Sequence, residues 1–175
     1  MSYLLGLSGS LRKASTNTKL IRAAAKVYGG DFQIGDLRLP LYDGDLEEAE
    51  GIPAAVQTLA DQIKDAEAVI ISGPEYNKSI SGVLKNALDW VSRTEGRPWQ
   101  GKPVAIMSAT AGRAGGERTQ FALRLCMMPF NTKIVQQPEV LVAASGQAFD
   151  DDGNLTGEMN IKTLHGLMDA LKAKV

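Results

Sequence analysis

The sequence predicts an α/β protein, a five-stranded parallel sheet covered by helices on both faces, in one domain. Three observations predict it. Short apolar runs alternate with longer segments of helical periodicity along the whole chain. The runs at the first, third and fourth strand positions are continuous rather than alternating, as expected of strands covered on both faces. No linker, low-complexity tract or internal repeat divides the 175 residues, a length suited to one domain with a proper core.

The first apolar run, Tyr3–Ser8, ends in a Ser/Gly turn and reads as a buried strand. From Thr18 to Tyr28, the residues Leu20, Ile21, Ala24, Val27 and Tyr28 make one helical stripe. Asp31–Leu37 alternates, with Phe32 and Ile34 facing one way, as in a half-covered edge strand. A polar stretch, Pro40–Gly51, follows. Pro53 suits the first position of the next helix, whose buried stripe is Val56, Leu59, Ala60 and Ile63. Ala68–Ser72 is a third strand closed by Gly73-Pro74, and Val83, Leu84, Ala87, Leu88 and Val91 form the next helical face. Val104–Ala109 is the fourth strand and Glu117–Met128 a helix. Lys133–Ala143 is the fifth strand and Ile161–Lys172 the closing helix. Pro138 inside the fifth strand puts it at an edge or bulge.

Parallel neighbours need crossover connections, and right-handed crossovers leave few topologies. The flavodoxin-like order 2-1-3-4-5 places the two edge-like strands, the second and fifth, at the edges. In such a sheet a ligand binds beyond the carboxyl ends of strands 1 and 3, where the winding reverses. The loops after Ser8, Ser72 and Ala109 are therefore the ones to read.

Composition narrows the function first. With 19 Lys+Arg, 20 Asp+Glu and one His, the formal charge is −1. That balance gives no basic footprint for nucleic acid and no strongly acidic face. No run approaches the ~18 apolar residues of a membrane span, and the N-terminus has no secretory pattern, so a cytoplasmic protein is expected. A lone Cys126 and a lone His165 exclude an internal disulfide and a Cys/His zinc site.

The first loop, Ser8 to Thr18, carries hydroxyls at Ser8, Ser10, Ser15, Thr16 and Thr18 and an amide at Asn17. It runs into a helix N-terminus, whose free N–H groups favour an anion, and Arg12 supplies a charge-assisted donor. This reads as a phosphate cradle, or else as a Ser/Thr-rich turn with a helix cap. It is neither a nucleoside-triphosphate loop nor a dinucleotide fingerprint, because both glycine spacings are missing. The second loop, Gly73 to Gly82, sets Pro74, Glu75, Tyr76, Asn77 and Lys78 together, which suits a flat heteroaromatic ligand. The third loop, Ser108 to Gly116, is small and glycine-rich, so that its backbone can approach a ligand closely.

The run Gly9-Ser10-Leu11-Arg12 with Ser15 and Asn17, followed by Pro74-Glu75-Tyr76-Asn77 and Gly82 to Trp90, closely resembles the NADPH-dependent FMN reductase family. The resemblance extends over essentially the whole chain. It implies non-covalent FMN, NADPH or NADH as co-substrate, and a small acceptor such as a quinone, flavin, ferric chelate, chromate or azo compound. It also implies a homodimer or dimer of dimers. By motif, Ser10, Arg12, Ser15, Thr16 and Asn17 would hold the phosphate. Pro74, Glu75, Tyr76, Asn77 and Lys78 would address the ribityl chain and ring, with Ser108 and Thr110 approaching from the third loop. Arg93, Arg113 and Lys78 are candidates for the NADPH 2′-phosphate. No side chain is expected to act as an acid, base or nucleophile, since the cofactor would do the chemistry. The competing class is a flavodoxin-type electron carrier, which usually meets partners through a strongly acidic face.

Several other residues have simpler readings. The acids between Asp43 and Glu50 read as a solvated loop entering a helix, and Asp150 to Gly153 as a turn. His165 and Cys126 read as packed core residues. Phe121, Leu125, Met127 and Met128 make their helix too apolar for one sheet-facing stripe, which points to a subunit interface with Trp99 as a further anchor.

Overall fold

The computed structural model describes residues 2–175. Strands β1 (Leu4–Ser8), β2 (Phe32–Gly35), β3 (Ala68–Ser72) and β4 (Pro103–Ala109) lie in the order β2-β1-β3-β4, all parallel. The far edge is shared by β5 (Lys133–Ile134) and β6 (Val140–Val142), both parallel to β4. The order 2-1-3-4-5 is as the sequence predicts, but the expected single strand Lys133–Ala143 is two. Pro138 offers no N–H to the ladder, so pairing stops and resumes: β5 holds the start of β4 and β6 its end.

Helices α1 (Thr16–Tyr28) and α6 (Glu158–Lys172) cover one face of the sheet. On the other lie α3 (Ala54–Asp65), α4 (Gly82–Ser92) and α5 (Glu117–Met127). Each helix follows from its stripe. Leu20, Ile21 and Ala24 of α1 are fully buried, the two larger ones contributing roughly 1.5–3 kcal/mol each. The polar stretch hides one further helix, α2 (Gly44–Glu50), with no buried residue. Asp43 caps it by accepting from the Asp45 N–H at 3.0 Å, and Gly51 ends it with φ 76°. Without an apolar stripe it left no periodic signal. Pro53 sits at the cap of α3, one residue before its expected place.

Three expectations about single residues change. Trp99 is 2% exposed and packs against Phe130, with ring centroids 6.1 Å apart, so it belongs to the chain's own core and not to an interface. His165 is exposed on α6 rather than packed. Met127 is buried, while Phe121, Leu125 and Met128 remain 54%, 68% and 72% exposed as one outward stripe along α5 and the turn that follows it. Cys126 is partly buried against the core between the sheet and α3, α4 and α5. Among the described residues, no helix is long and apolar enough to cross a membrane.

Candidate functional site

Beyond the carboxyl ends of β1, β3, β4 and β6 the loops enclose a cleft of about 590 Å³, within the ~300–1,000 Å³ usual for small-molecule sites. Its architecture is set by Asn17, a buried residue in the first turn of α1. Asn17 Oδ1 accepts from the Ser72 hydroxyl at 2.8 Å and from the Ala109 N–H at 3.0 Å. Its Nδ2 donates to the Ala109 carbonyl at 2.9 Å. One side chain thus pins the start of α1 to the ends of β3 and β4. An amide is the group that can accept two bonds and donate another at one position.

Around this clamp the first loop folds on itself. Ser15 caps α1 by accepting from the Thr18 N–H at 3.2 Å. The N–H groups of Thr16 and Asn17, at the positive end of the helix, have no acceptor among the described residues. Ser10, Arg12, Ser15 and Thr16 line the cleft beside them, and Arg12 makes no ion pair among the described residues. This end offers hydroxyls, free amides and a guanidinium, a set of donors suited to an anion.

The second loop is sewn to both neighbours. Ser81 caps α4 and donates to the Gly9 carbonyl at 2.7 Å, tying it to the first loop. Glu75 Oε2 accepts from the N–H groups of Arg118 and Thr119 at 3.1 and 3.3 Å, so its carboxylate caps α5. The Thr119 hydroxyl donates to the Pro74 carbonyl at 3.1 Å. Pro74, Glu75 and Tyr76 line the cleft, and the Tyr76 side chain stays 53% exposed at its lip. Asn77 and Lys78 do not line it: they form the two-residue tip of a tight turn, both at positive φ, closed by reciprocal bonds between Tyr76 and Ser79.

In the third loop, Thr110, Ala111 and Gly112 reach the cleft. The N–H groups of Ala111 and Gly112 have no acceptor among the described residues. Ser108 is turned the other way. Fully buried, it donates to the Gly115 carbonyl at 2.6 Å and accepts from Gln120 Nε2 at 2.9 Å, so its hydroxyl is unavailable to a ligand. Gly115 and Gly116 serve the same internal packing. Both have positive φ, and a Cβ there would come within 2.6 Å of Leu141 and 2.8 Å of Ser108.

The two candidate arginines separate. Arg93 holds Glu47 of α2 at 2.9 Å and lies outside the cleft. That guanidinium, with a bond from the Tyr42 hydroxyl as a smaller cause, keeps the Glu47 carboxyl below its usual range. Arg113 lines a side chamber of about 400 Å³ that shares Glu75, Thr110 and Gly112 with the main cleft. Sequence reasoning missed Lys19, Ser145 and Gly146, which line the cleft as well. The loop after β6 lies at a carboxyl strand end and was open to the same topological argument. Lys19 carries no local motif.

A family model described as NADPH-dependent FMN reductase matches residues 3–147. An NAD(P)H-dependent FMN reductase of Pseudomonas aeruginosa is 38% identical over 172 residues, which is 97% of this chain and 92% of that protein. A quinone reductase of Escherichia coli is 41% identical over 139 residues, 77% of this chain and 74% of that one. Among solved structures, the flavoenzyme NAD(P)H:(acceptor) oxidoreductase FerB of Paracoccus denitrificans superposes with a TM-score of 0.87 at 34% identity. The match covers 98% of this chain and 95% of that one.

Proposed function

The chain belongs to the NADPH-dependent FMN reductase family, and we propose that it moves two electrons from NADPH or NADH through non-covalently held FMN to a small acceptor such as a quinone. The resemblance extends the acceptor list to free flavins, ferric chelates, chromate and azo compounds. The observation that carries the reading is the donor cluster at one end of the cleft: Arg12, the Ser10, Ser15 and Thr16 hydroxyls, and the unpaired N–H groups of Thr16 and Asn17. One such cluster fits one phosphate ester.

The residues present fit FMN. The cleft has a polar, cationic end for a phosphate and a wall with an aromatic side chain at Tyr76. When bound, FMN supplies the hydride and electron chemistry. The protein's part is binding and electrostatics. Arg12 and the start of α1 would hold the phosphate, with Asn17 acting through its clamp and its backbone N–H. Pro74, Glu75 and Tyr76 would hold the ribityl chain and ring, Asn77 and Lys78 close the turn that carries Tyr76, and Thr110 would contact the flavin from the third loop. The free N–H groups of Ala111 and Gly112 would be donors for negative charge on a bound flavin, and as fixed donors they would need no reorganisation. The open lip beside Tyr76 would admit the nicotinamide and the acceptor in turn, and Arg113, in the side chamber next to the cleft, is our candidate for the 2′-phosphate of NADPH.

Denaturing the purified protein and separating the released cofactor tests this reading. FMN is expected. Release of FAD, or failure of the protein to take up added FMN, would overturn it.

A further inference from the structure

The cleft has a fourth wall, drawn from a segment that none of the motif-bearing loops includes. After β6 the chain makes a short turn at Ser145–Gln147 and then a small hairpin in which Phe149 pairs with Leu155. The hairpin is well held. The Asp150 carboxylate accepts from the Asn154 N–H at 2.7 Å and from its Nδ2 at 3.1 Å, and Ala148 and Leu155 are buried in the core beneath α1. Most of this segment lies beyond residue 147, where the family match ends.

It is joined to α1 along one stripe. The Thr16 hydroxyl donates to the Ser145 hydroxyl at 3.2 Å. The Lys19 ammonium lies 5.9 Å from the centroid of the Phe149 ring, and Gly153 backs the methylenes of Lys19. Ala23 packs against the same core cluster as Phe149, and Lys26 Nζ donates to Asn154 Oδ1 at 2.7 Å. Thr16, Lys19, Ala23 and Lys26 fall at i, i+3, i+7 and i+10, so one face of α1 forms the seam.

Lys19 is thereby the one residue of the seam that is both positioned and free. It is half-buried, lines the cleft and makes no ion pair among the described residues. Gly153 backs its stem and the Phe149 ring lies beside its ammonium, and neither carries a charge that would neutralise it. We propose that Lys19, set by the Ser145–Leu155 segment, is a second cation beside Arg12 for a phosphate monoester dianion, and that this ester is the 5′-phosphate of FMN. Two cations match the two charges of a terminal monoester. They over-match the singly charged phosphates of a diphosphate bridge and find nothing on unphosphorylated riboflavin. The inference rests on the FMN reading above.

The test is a titration of apoprotein with FMN and with riboflavin, followed by flavin fluorescence, for wild type, Lys19→Met, Lys19→Arg and Arg12→Ala. Lys19→Met is expected to weaken FMN about tenfold or more, the loss of one charge-assisted hydrogen bond, and to leave riboflavin within about twofold. Lys19→Arg should restore most of the affinity. An FMN affinity unchanged in Lys19→Met, while Arg12→Ala loses it, would overturn the role of Lys19 and leave the FMN reading standing. Absence of FMN binding by wild type would overturn both. The 2′-phosphate of NADPH has the same chemistry, so the FMN-loaded variant is also assayed with NADPH and NADH. The ratio of their KM values is expected to match wild type. A ratio shifted towards NADH with FMN affinity intact would assign Lys19 to the nicotinamide nucleotide and contradict the proposal.

Discussion

At the scale of single residues, the cleft separates side chains that would touch a ligand from those that build its walls. Arg12 belongs to the first kind, and Arg12→Ala should weaken FMN by about 1.5–3 kcal/mol, read as a change in Kd. Asn17 belongs chiefly to the second. Asn17→Ala would strand a buried hydroxyl at Ser72 and both backbone groups of Ala109. A loss of about 1–3 kcal/mol in stability is expected, visible in thermal unfolding, together with weaker FMN binding. A variant with wild-type melting would contradict the clamp. Much of this site was legible, because Ser10, Arg12 and Ser15 stand directly after a strand whose end the topology had already singled out. Ser108 was misread: a hydroxyl at a strand end looks available, and only the buried contact with Gly115 shows that it faces inward. Lys19 and Ser145 escaped because their meaning lies in a seam joining residues 129 positions apart.

At the scale of elements, the loops are positioned by helix ends. Glu75 caps α5 from the second loop, and Glu75→Ala should cost about 0.5–2 kcal/mol, or a few degrees in melting temperature for a chain of this size. The segment from Pro40 to Glu50 is fastened to α4 by Arg93 and Glu47, and by Trp90 Nε1 and Asn86 Nδ2, which both donate to the Pro40 carbonyl. Because Arg93 lowers the Glu47 carboxyl from its ordinary 4.5, the pair stabilises the fold above that pH. Its contribution is lost as the pH falls through the depressed value. Arg93→Ala should therefore be less stable than wild type near neutrality, the two should converge in acid, and NADPH affinity should not change. A drop in NADPH affinity would return Arg93 to the substrate site. Helices with an apolar stripe could be read from the sequence, whereas α2, held by its caps and one ion pair, could not. The divided fifth strand was visible only as a warning at Pro138.

At the scale of the whole molecule, the cleft is joined by a second exposed feature, the outward apolar stripe of α5 and the turn that follows it. Phe121, Leu125 and Met128 lie on one face, and a second copy of the chain is the occupant we propose, giving a homodimer or a dimer of dimers. Light scattering should show at least a dimer, and Leu125→Arg should shift it towards monomer. A wild-type monomer at micromolar concentration would contradict the interface. The charge of −1 gives no strong acidic field to recruit a protein partner, which favours turnover with small molecules over service as an electron carrier. Anaerobic stopped-flow absorbance on the FMN-loaded protein decides between them most directly. Bleaching of the flavin band by NADPH or NADH within milliseconds to seconds, and its return on adding a soluble quinone with no other protein present, is the predicted result. A flavin that dithionite reduces but neither nicotinamide does would contradict the account and leave the carrier reading in its place.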